Sequence, residues 1–218
     1  MTIWNKKQIK EDVITHDIIN NKHEHYLVIP QLLTPAIYGT ISSASSPNLI
    51  AFNTAATAGS RAGYALYNNG LALDWQAMKS FKIEMLLSAA NNTYSYVGLG
   101  DSIPTAAVPP AEPAQGIWLQ HKRDTTPAPL ELVIKLNPIN ITQTIVNNYV
   151  DDYVKLVINK ESSNVKVTVT TRDTPLFIYD FVNNLPTSFY AFAVVVTQDA
   201  VSKYIDASQC EIVIETEL

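Results

Sequence analysis

The chain has 218 residues, of which 47% are hydrophobic and only 16% charged, against about 25% charged in typical soluble domains. The net charge of -5 argues against nucleic acid, whose binding needs Lys and Arg to neutralise phosphates; the densest basic pair, Lys122-Arg123, is followed at once by Asp124. That length fits one large β-domain, whose surface falls to Asn, Thr, Ser, Ala, Pro and Tyr, a neutral, hydrogen-bonding covering suited to packing on neighbours or sugars.

Residues 1–25 hold Lys6, Lys7, Lys10, Glu11, Asp12 and Asp17, a charge density unlike the rest, and read as an N-terminal arm engaging a neighbouring subunit. Residues 26–218 read as a single β-sandwich domain. Within the arm, Ile9, Val13 and Ile18 stand near helical spacing, although β-branched residues weaken that pattern. Its mixed charge and lack of an apolar h-region do not read as a signal peptide. The longest fully apolar run, 189–196, is far short of the roughly 20 residues that span a bilayer, so a soluble chain is expected.

Beyond the arm, 25–29 is a short apolar run stopped by Pro30. A Ser/Ala/Thr-rich stretch over 42–59 contains a strand at 49–52. In 61–67, Tyr64 and Leu66 share a face, and Asn68-Asn69-Gly70 reads as a tight turn because Asn and Gly tolerate positive φ. One helical turn is expected within 71–80. In 81–87, Phe81, Ile83, Met85 and Leu87 point inward, opposed by Lys82 and Glu84; Asn91-Asn92 turns the chain, and 94–99 returns beside it. The proline-rich stretch IPTAAVPPAEPAQG (103–116) reads as an extended, exposed loop.

Strands follow at 117–121 and 130–136, around a loop at 123–129, and a weaker one at 141–146. The clearest signal is 152–181. Val154, Leu156 and Ile158 face one way, and after a polar turn Val165, Val167 and Val169 do the same, opposed by Lys166, Thr168 and Thr170. Successive strand residues face opposite sides, so this is a half-buried antiparallel hairpin, with a third apolar run behind Pro175. Residues 189–196 are apolar on both faces and belong in the middle of a sheet. In the last run, 210–217, Ile212 and Ile214 oppose Glu211, Val213 and Glu215. A dozen or so short strands with regular turn signals predict an all-β, two-sheet antiparallel sandwich.

The order of these signals resembles a concanavalin A-like or laminin-G-like jelly-roll sandwich. FKIEMLLSAANNTYSYVGLGD (81–101) resembles the early hairpin of such domains, GIWLQ (116–120) the strand after it, and DDYVKLVINKESSNVKVTV (151–169) the later hairpin. The likeness covers residues 40–218. One departure is that Asp151-Asp152 stands where an aromatic-His pair often precedes the later hairpin, so no ligand contact is carried over.

The chemistry is sparse. Glucanases of this architecture carry two Glu bracketing an Asp on one strand face, whereas Glu84 stands alone. Glu211, Glu215 and Glu217 share one face of the final strand, which reads as a solvated acidic edge. His23 and His25 around Glu24, with His16 nearby, have a spacing able to hold a metal, but the same residues suit an exposed arm. Asp101 or Asp151-Asp152 offer oxygens to calcium, yet a calcium site needs six or more and no D-x-D-x-D run supplies them. Cys210, the single cysteine, reads as a buried thiol. The sequons at Asn91 and Asn140 read as incidental. Neither a metal nor any other cofactor is expected, and no catalytic residue is assigned.

Aromatics give the best indication of binding. Tyr94 and Tyr96 share a face, Trp118 lies beside the proline-rich loop, and His121 and Arg123 close the same strand end; flat rings beside polar groups suit sugars or protein contacts. The favoured expectation is a non-enzymatic structural protein of a virus or phage particle, located in the virion. Its partners are copies of itself or other particle proteins, engaged through the arm, and it has no membrane span. The alternatives are a stand-alone carbohydrate-binding module or adhesin acting on glycans outside the cell, and a glycoside hydrolase or lyase of the same architecture.

Overall fold

The computed structural model describes residues 24–27, 34–43, 49–67, 73–75, 78–87, 90–124, 128–150, 152–161, 164–171, 177–182, 188–208 and 211–215. In chain order the strands begin with β1 (Glu24–Leu27), β2 (Thr34–Tyr38), β3 (Thr40–Ser43), β4 (Ile50–Asn53), β5 (Arg61–Tyr67) and β6 (Leu73–Asp74). They continue with β7 (Met78–Leu87), β8 (Thr93–Gly100), β9 (Gly116–Arg123), β10 (Leu130–Leu136), β11 (Ile139–Val146) and β12 (Tyr153–Lys160). The last are β13 (Asn164–Thr170), β14 (Phe177–Val182), β15 (Ser188–Thr197), β16 (Tyr204–Ala207) and β17 (Glu211–Glu215). Among the described residues there is no helix, as an all-β sandwich requires.

Two sheets form. A nine-stranded sheet runs β14-β13-β12-β7-β16-β4-β3, with β17 also on β7 and β1 on β17; an eight-stranded sheet runs β11-β10-β9-β8-β15-β5-β2, with β6 on β15. All of these pairings are antiparallel. The core lies between the sheets. Phe81, Ile83, Met85 and Leu87 of β7 meet Val97, Leu99, Ile117, Leu119, Leu132 and Ile134 from the opposite sheet in one buried cluster.

The later hairpin is as its alternation predicts. Val154, Leu156, Ile158, Val165, Val167 and Val169 are all fully buried, in register Leu156 to Val169 and Ile158 to Val167. Each such side chain contributes about 1.5–3 kcal/mol through burial, which is why a one-residue slip is prohibited. Strand β15 sits between β8 and β5 and is buried from Ala191 through Thr197, as expected of a run apolar on both faces.

Three expectations are corrected. In place of the helical turn expected within 71–80, the described residues form β6 (73–74) and the start of β7 from Met78, with Trp75 packed edge-on against Phe189, centroids 5.4 Å apart. The final strand is not an edge, because β17 has β7 on one side and β1 on the other. It shares one margin of β7 with β16, and the step between them is held at Ser208, whose N–H donates to the Glu84 carbonyl (2.8 Å) and whose hydroxyl accepts the Glu84 N–H (3.0 Å). Third, the proline-rich loop is not freely exposed: Pro104, Pro110 and Pro113 are buried. Within the apolar run 25–29, residues 25–27 belong to β1, and 28–29 lie outside the described residues. Residues 1–23, with the arm's helix-like spacing, His16 and His23, lie outside the described residues, as do 68–70, Asp151, Cys210 and Glu217.

Candidate ligand-binding face

Alternation on the eight-stranded sheet sends Val97, Leu99, Ile117 and Leu119 into the sandwich and the intervening residues outward. The outward set forms a second apolar cluster of Ala65, Tyr96, Trp118, Val133, Phe192 and Val194, with Tyr38, Tyr94 and Ile103 packed around it. Strand register builds it in rows: Ala65, Phe192, Gly98, Trp118 and Val133 lie opposite one another across five strands, and Val194, Tyr96, Gln120 and Glu131 form the next row. Gly98 has φ +152°, and a Cβ there would come 2.3 Å from the Ile117 carbonyl oxygen. A bare glycine is therefore what allows β8 and β9 to approach at that point.

This places the five residues predicted to bind. Tyr94, Tyr96 and Trp118 share the outer face; His121 and Arg123 have the opposite parity along β9. His121 is fully buried, edge-on to Tyr149 with ring centroids 4.8 Å apart. Its Nδ1 lies 3.1 Å from the Pro129 carbonyl oxygen; since a carbonyl only accepts, Nδ1 carries the proton and donates. It is a core histidine. Arg123, of the same parity, is half-buried. Tyr96 and Trp118 are also fully buried, so they form the floor of the face, and Tyr94, half-buried, forms part of its rim.

Polar groups that the sequence did not single out complete the face. The Trp118 indole N–H donates to Gln120 Oε1 (3.3 Å), and Gln120 Nε2 donates to Glu131 Oε2 (2.9 Å). Lys135 Nζ sits 5.2 Å from the Trp118 ring centroid, and Lys122 Nζ 6.0 Å from that of Tyr96, within cation–π reach. Tyr94 donates its phenol proton to Asp124 Oδ2 at 2.8 Å; burial first, and then that carboxylate, push the Tyr94 phenol up to about 12. At the far side, Arg61 lies 3.7 Å above the Tyr38 ring and donates to the Pro104 carbonyl oxygen at 2.5 Å.

Residues 101–115 fold back over this face. Asp101 closes the base: its N–H donates to the Gln115 carbonyl (2.9 Å), and its Oδ1 accepts from the Ala114 N–H (3.0 Å). Pro113 covers Gly100, where an added Cβ would meet the proline ring at 2.7 Å and Phe192 at 3.1 Å. From the same segment Glu112 reaches both Lys122 and Lys135, one carboxylate oxygen to each. Burial alone would raise the Glu112 carboxyl, but the hydrogen bonds and charges of the two lysines outweigh it and hold it below its usual value. The neighbouring Tyr96 carries a hydroxyl that is buried and without a hydrogen-bond partner among the described residues. Burial, then the charge of Glu112, raise its ionisation further above the usual phenol range.

The other candidates are structural. Asp152 accepts the Tyr153 N–H (2.8 Å) and its carbonyl accepts the Tyr149 hydroxyl (2.6 Å). Glu84 accepts from the exposed Tyr153 phenol at 3.2 Å. Among the described residues, no three His, Cys, Asp or Glu side chains are grouped to hold a metal ion.

No protein-family model matches the chain, and no curated protein does. Solved structures do share its architecture. A protein of unknown function from Shewanella oneidensis MR-1 aligns over 100% of this chain and 98% of its own, at 9% identity and a TM-score of 0.55. The exoplasmic/lumenal domain of VIP36, in its Ca2+-bound form, aligns over 89% of each chain at 8% identity and a TM-score of 0.50. The fold is the concanavalin A-like β-sandwich that the strand pattern resembled.

Proposed function

We propose that this protein is a non-enzymatic glycan-binding module acting through the outer face of the eight-stranded sheet. What carries the proposal is the half-buried ring of Tyr94, seated on a buried support of Tyr96, Trp118 and Phe192 and bordered by Gln120, Lys122, Glu131 and Lys135. The Tyr94 ring offers an apolar plane to the C–H face of a sugar, and the amide, ammonium and carboxylate groups beside it match the hydroxyls. The outer-face carboxylates are already engaged, Glu112 by two lysines, Glu131 by Gln120 and Asp124 by Tyr94, which favours binding over catalysis. Assembly into a particle, the function favoured on sequence, draws on residues 1–25, of which only 24 and 25 are described; its support remains the sequence alone.

The test is a glycan array probed with the purified chain, followed by calorimetry on any ligand found. Loss of the Tyr94 ring in Tyr94→Ala should weaken binding by about 2- to 12-fold, the equivalent of roughly 0.5–1.5 kcal/mol for one ring contact. A chain that binds nothing on the array, or whose binding ignores Tyr94→Ala and Lys135→Ala alike, overturns the proposal.

A further inference from the structure

Glu112 has the placement of a ligand rather than of an ordinary surface residue. Its segment is held without it: Asp101 closes the base, Arg61 grips the Pro104 carbonyl, and the tip is stiffened where Thr105 exchanges hydrogen bonds with Ala111 through its N–H (3.1 Å) and its side-chain hydroxyl (2.8 Å). On this preformed flap the Glu112 side chain projects to the sheet and divides its two oxygens between Lys122 of β9 and Lys135 of β10. Such charge-assisted bonds from two ammonium groups are strong contacts that any carboxylate placed there could make. Both lysines keep 32% of their side-chain surface exposed and Glu112 20%, so solvent and solutes reach the bridge. The Tyr96 ring lies 6.0 Å from Lys122 Nζ, and its fully buried hydroxyl has no partner among the described residues. A closed structural latch has no use for an unpaired buried donor beside it; a ligand oxygen would supply the missing acceptor.

We propose that Glu112 is a built-in stand-in for a ligand carboxylate, and that an acidic saccharide, bearing a carboxylate on its sugar ring, displaces it from Lys122 and Lys135 and takes the Tyr96 hydroxyl proton as a hydrogen bond. This rests on the glycan-binding proposal and narrows it to a ligand class. A neutral sugar that moved Glu112 aside would leave two ammonium groups without their counter-charge, whereas a ring carboxylate restores it. The free protein is therefore self-inhibited, and its apparent affinity is lowered by the fraction of time that Glu112 occupies the site.

The experiment compares the full chain with Glu112→Gln and with Lys122→Gln/Lys135→Gln, using trigalacturonate and its methyl ester as probes in calorimetry. Amide hydrogen exchange is followed over residues 101–116, and thermal unfolding confirms that each variant is folded. Glu112→Gln should bind trigalacturonate roughly ten-fold more tightly, the gain expected if the closed state holds about nine-tenths of the population, with exchange in the preformed loop and the ester's binding both unchanged. The double lysine variant should lose the acid's binding. If Glu112→Gln leaves the acid's Kd unchanged, or tightens acid and ester equally, the inference is wrong. A wild-type chain that binds neutral glycans on the array while neither it nor Glu112→Gln binds trigalacturonate removes this inference and leaves the glycan module standing; a chain that binds nothing removes both.

Discussion

Gly98→Ala is the sharpest probe of how the outer face is built. Gly98 lies in register with Phe192 on one side and Trp118 on the other. A methyl group there would be 2.3 Å from the Ile117 carbonyl oxygen and 2.6 Å from Trp118 Cα. Both are backbone atoms of the neighbouring strand, so no rotamer change relieves the clash. Alanine must also hold a φ of +152°, a strained conformation costing about 1–3 kcal/mol; overpacking adds about 1–3 kcal/mol. The sum, about 2–6 kcal/mol, is a large share of the 5–15 kcal/mol typical of a folded domain. For a chain of this size it lowers Tm by roughly 4–24 °C, at about 2–4 °C per kcal/mol. Gly59→Ala is the control: its φ is +78°, but the nearest atom, Ala107 Cα, is 3.4 Å from the added Cβ. It should cost only the left-handed conformation, about 1–2 kcal/mol. Thermal unfolding followed by far-ultraviolet circular dichroism reads both. A Gly98→Ala Tm within about 2 °C of wild type, or a larger loss for Gly59→Ala, would refute the β8–β9 register and the tight approach at that point.

Two further outcomes are expected. Tyr96→Phe removes a buried hydroxyl without a partner among the described residues; since leaving such a group unsatisfied costs about 1–3 kcal/mol, urea unfolding should show stability unchanged or raised by about 1 kcal/mol, and a loss of that size would mean that the hydroxyl is already bonded. Asp199 accepts hydrogen bonds from Asn92 (3.0 Å), Thr197 (3.0 Å), the Val201 N–H (3.0 Å) and Lys203 (3.3 Å), and these, Asn92 foremost, hold its carboxyl down at about 2. A depressed carboxyl stabilises the fold above the unfolded-chain value near 3.9, and that contribution is lost as pH falls through the folded value. Wild type should therefore lose Tm between about pH 4 and pH 2, and Asp199→Asn should lose less over the same interval; parallel curves would show that Asp199 does not couple folding to pH.

The fold was legible where side chains alternate without interruption. Over 81–87 of β7, 154–158 of β12 and 165–169 of β13 every second residue is apolar, and burying one face fixes both strand and register. The segment 71–80 misled because its local pattern is too short to choose a period, and the decision fell to Trp75 packing on Phe189, a partner more than a hundred residues away. The terminal strand misled for a related reason: its alternation marks a strand but says nothing of whether one side or both will be paired.

The candidate site divides in the same way. That Tyr94 and Tyr96 share a face follows from their spacing of two, and that His121 opposes Trp118 follows from a spacing of three within one strand. That Trp118 joins the tyrosines, and that Glu112 meets Lys122 and Lys135 across 10 and 23 residues of chain, depends on the pairing of β8, β9 and β10 and on the fold-back of a proline-rich loop. The prolines announce an irregular, extended segment but not the surface on which it rests. Local sequence thus determined which residues form strands and which face of each is apolar, because backbone geometry imposes the period of two. Only the tertiary structure decided which faces meet, which aromatic residues become floor or rim, and which carboxylate lies between two lysines, because those outcomes depend on strand order and long-range packing that local periodicity leaves open.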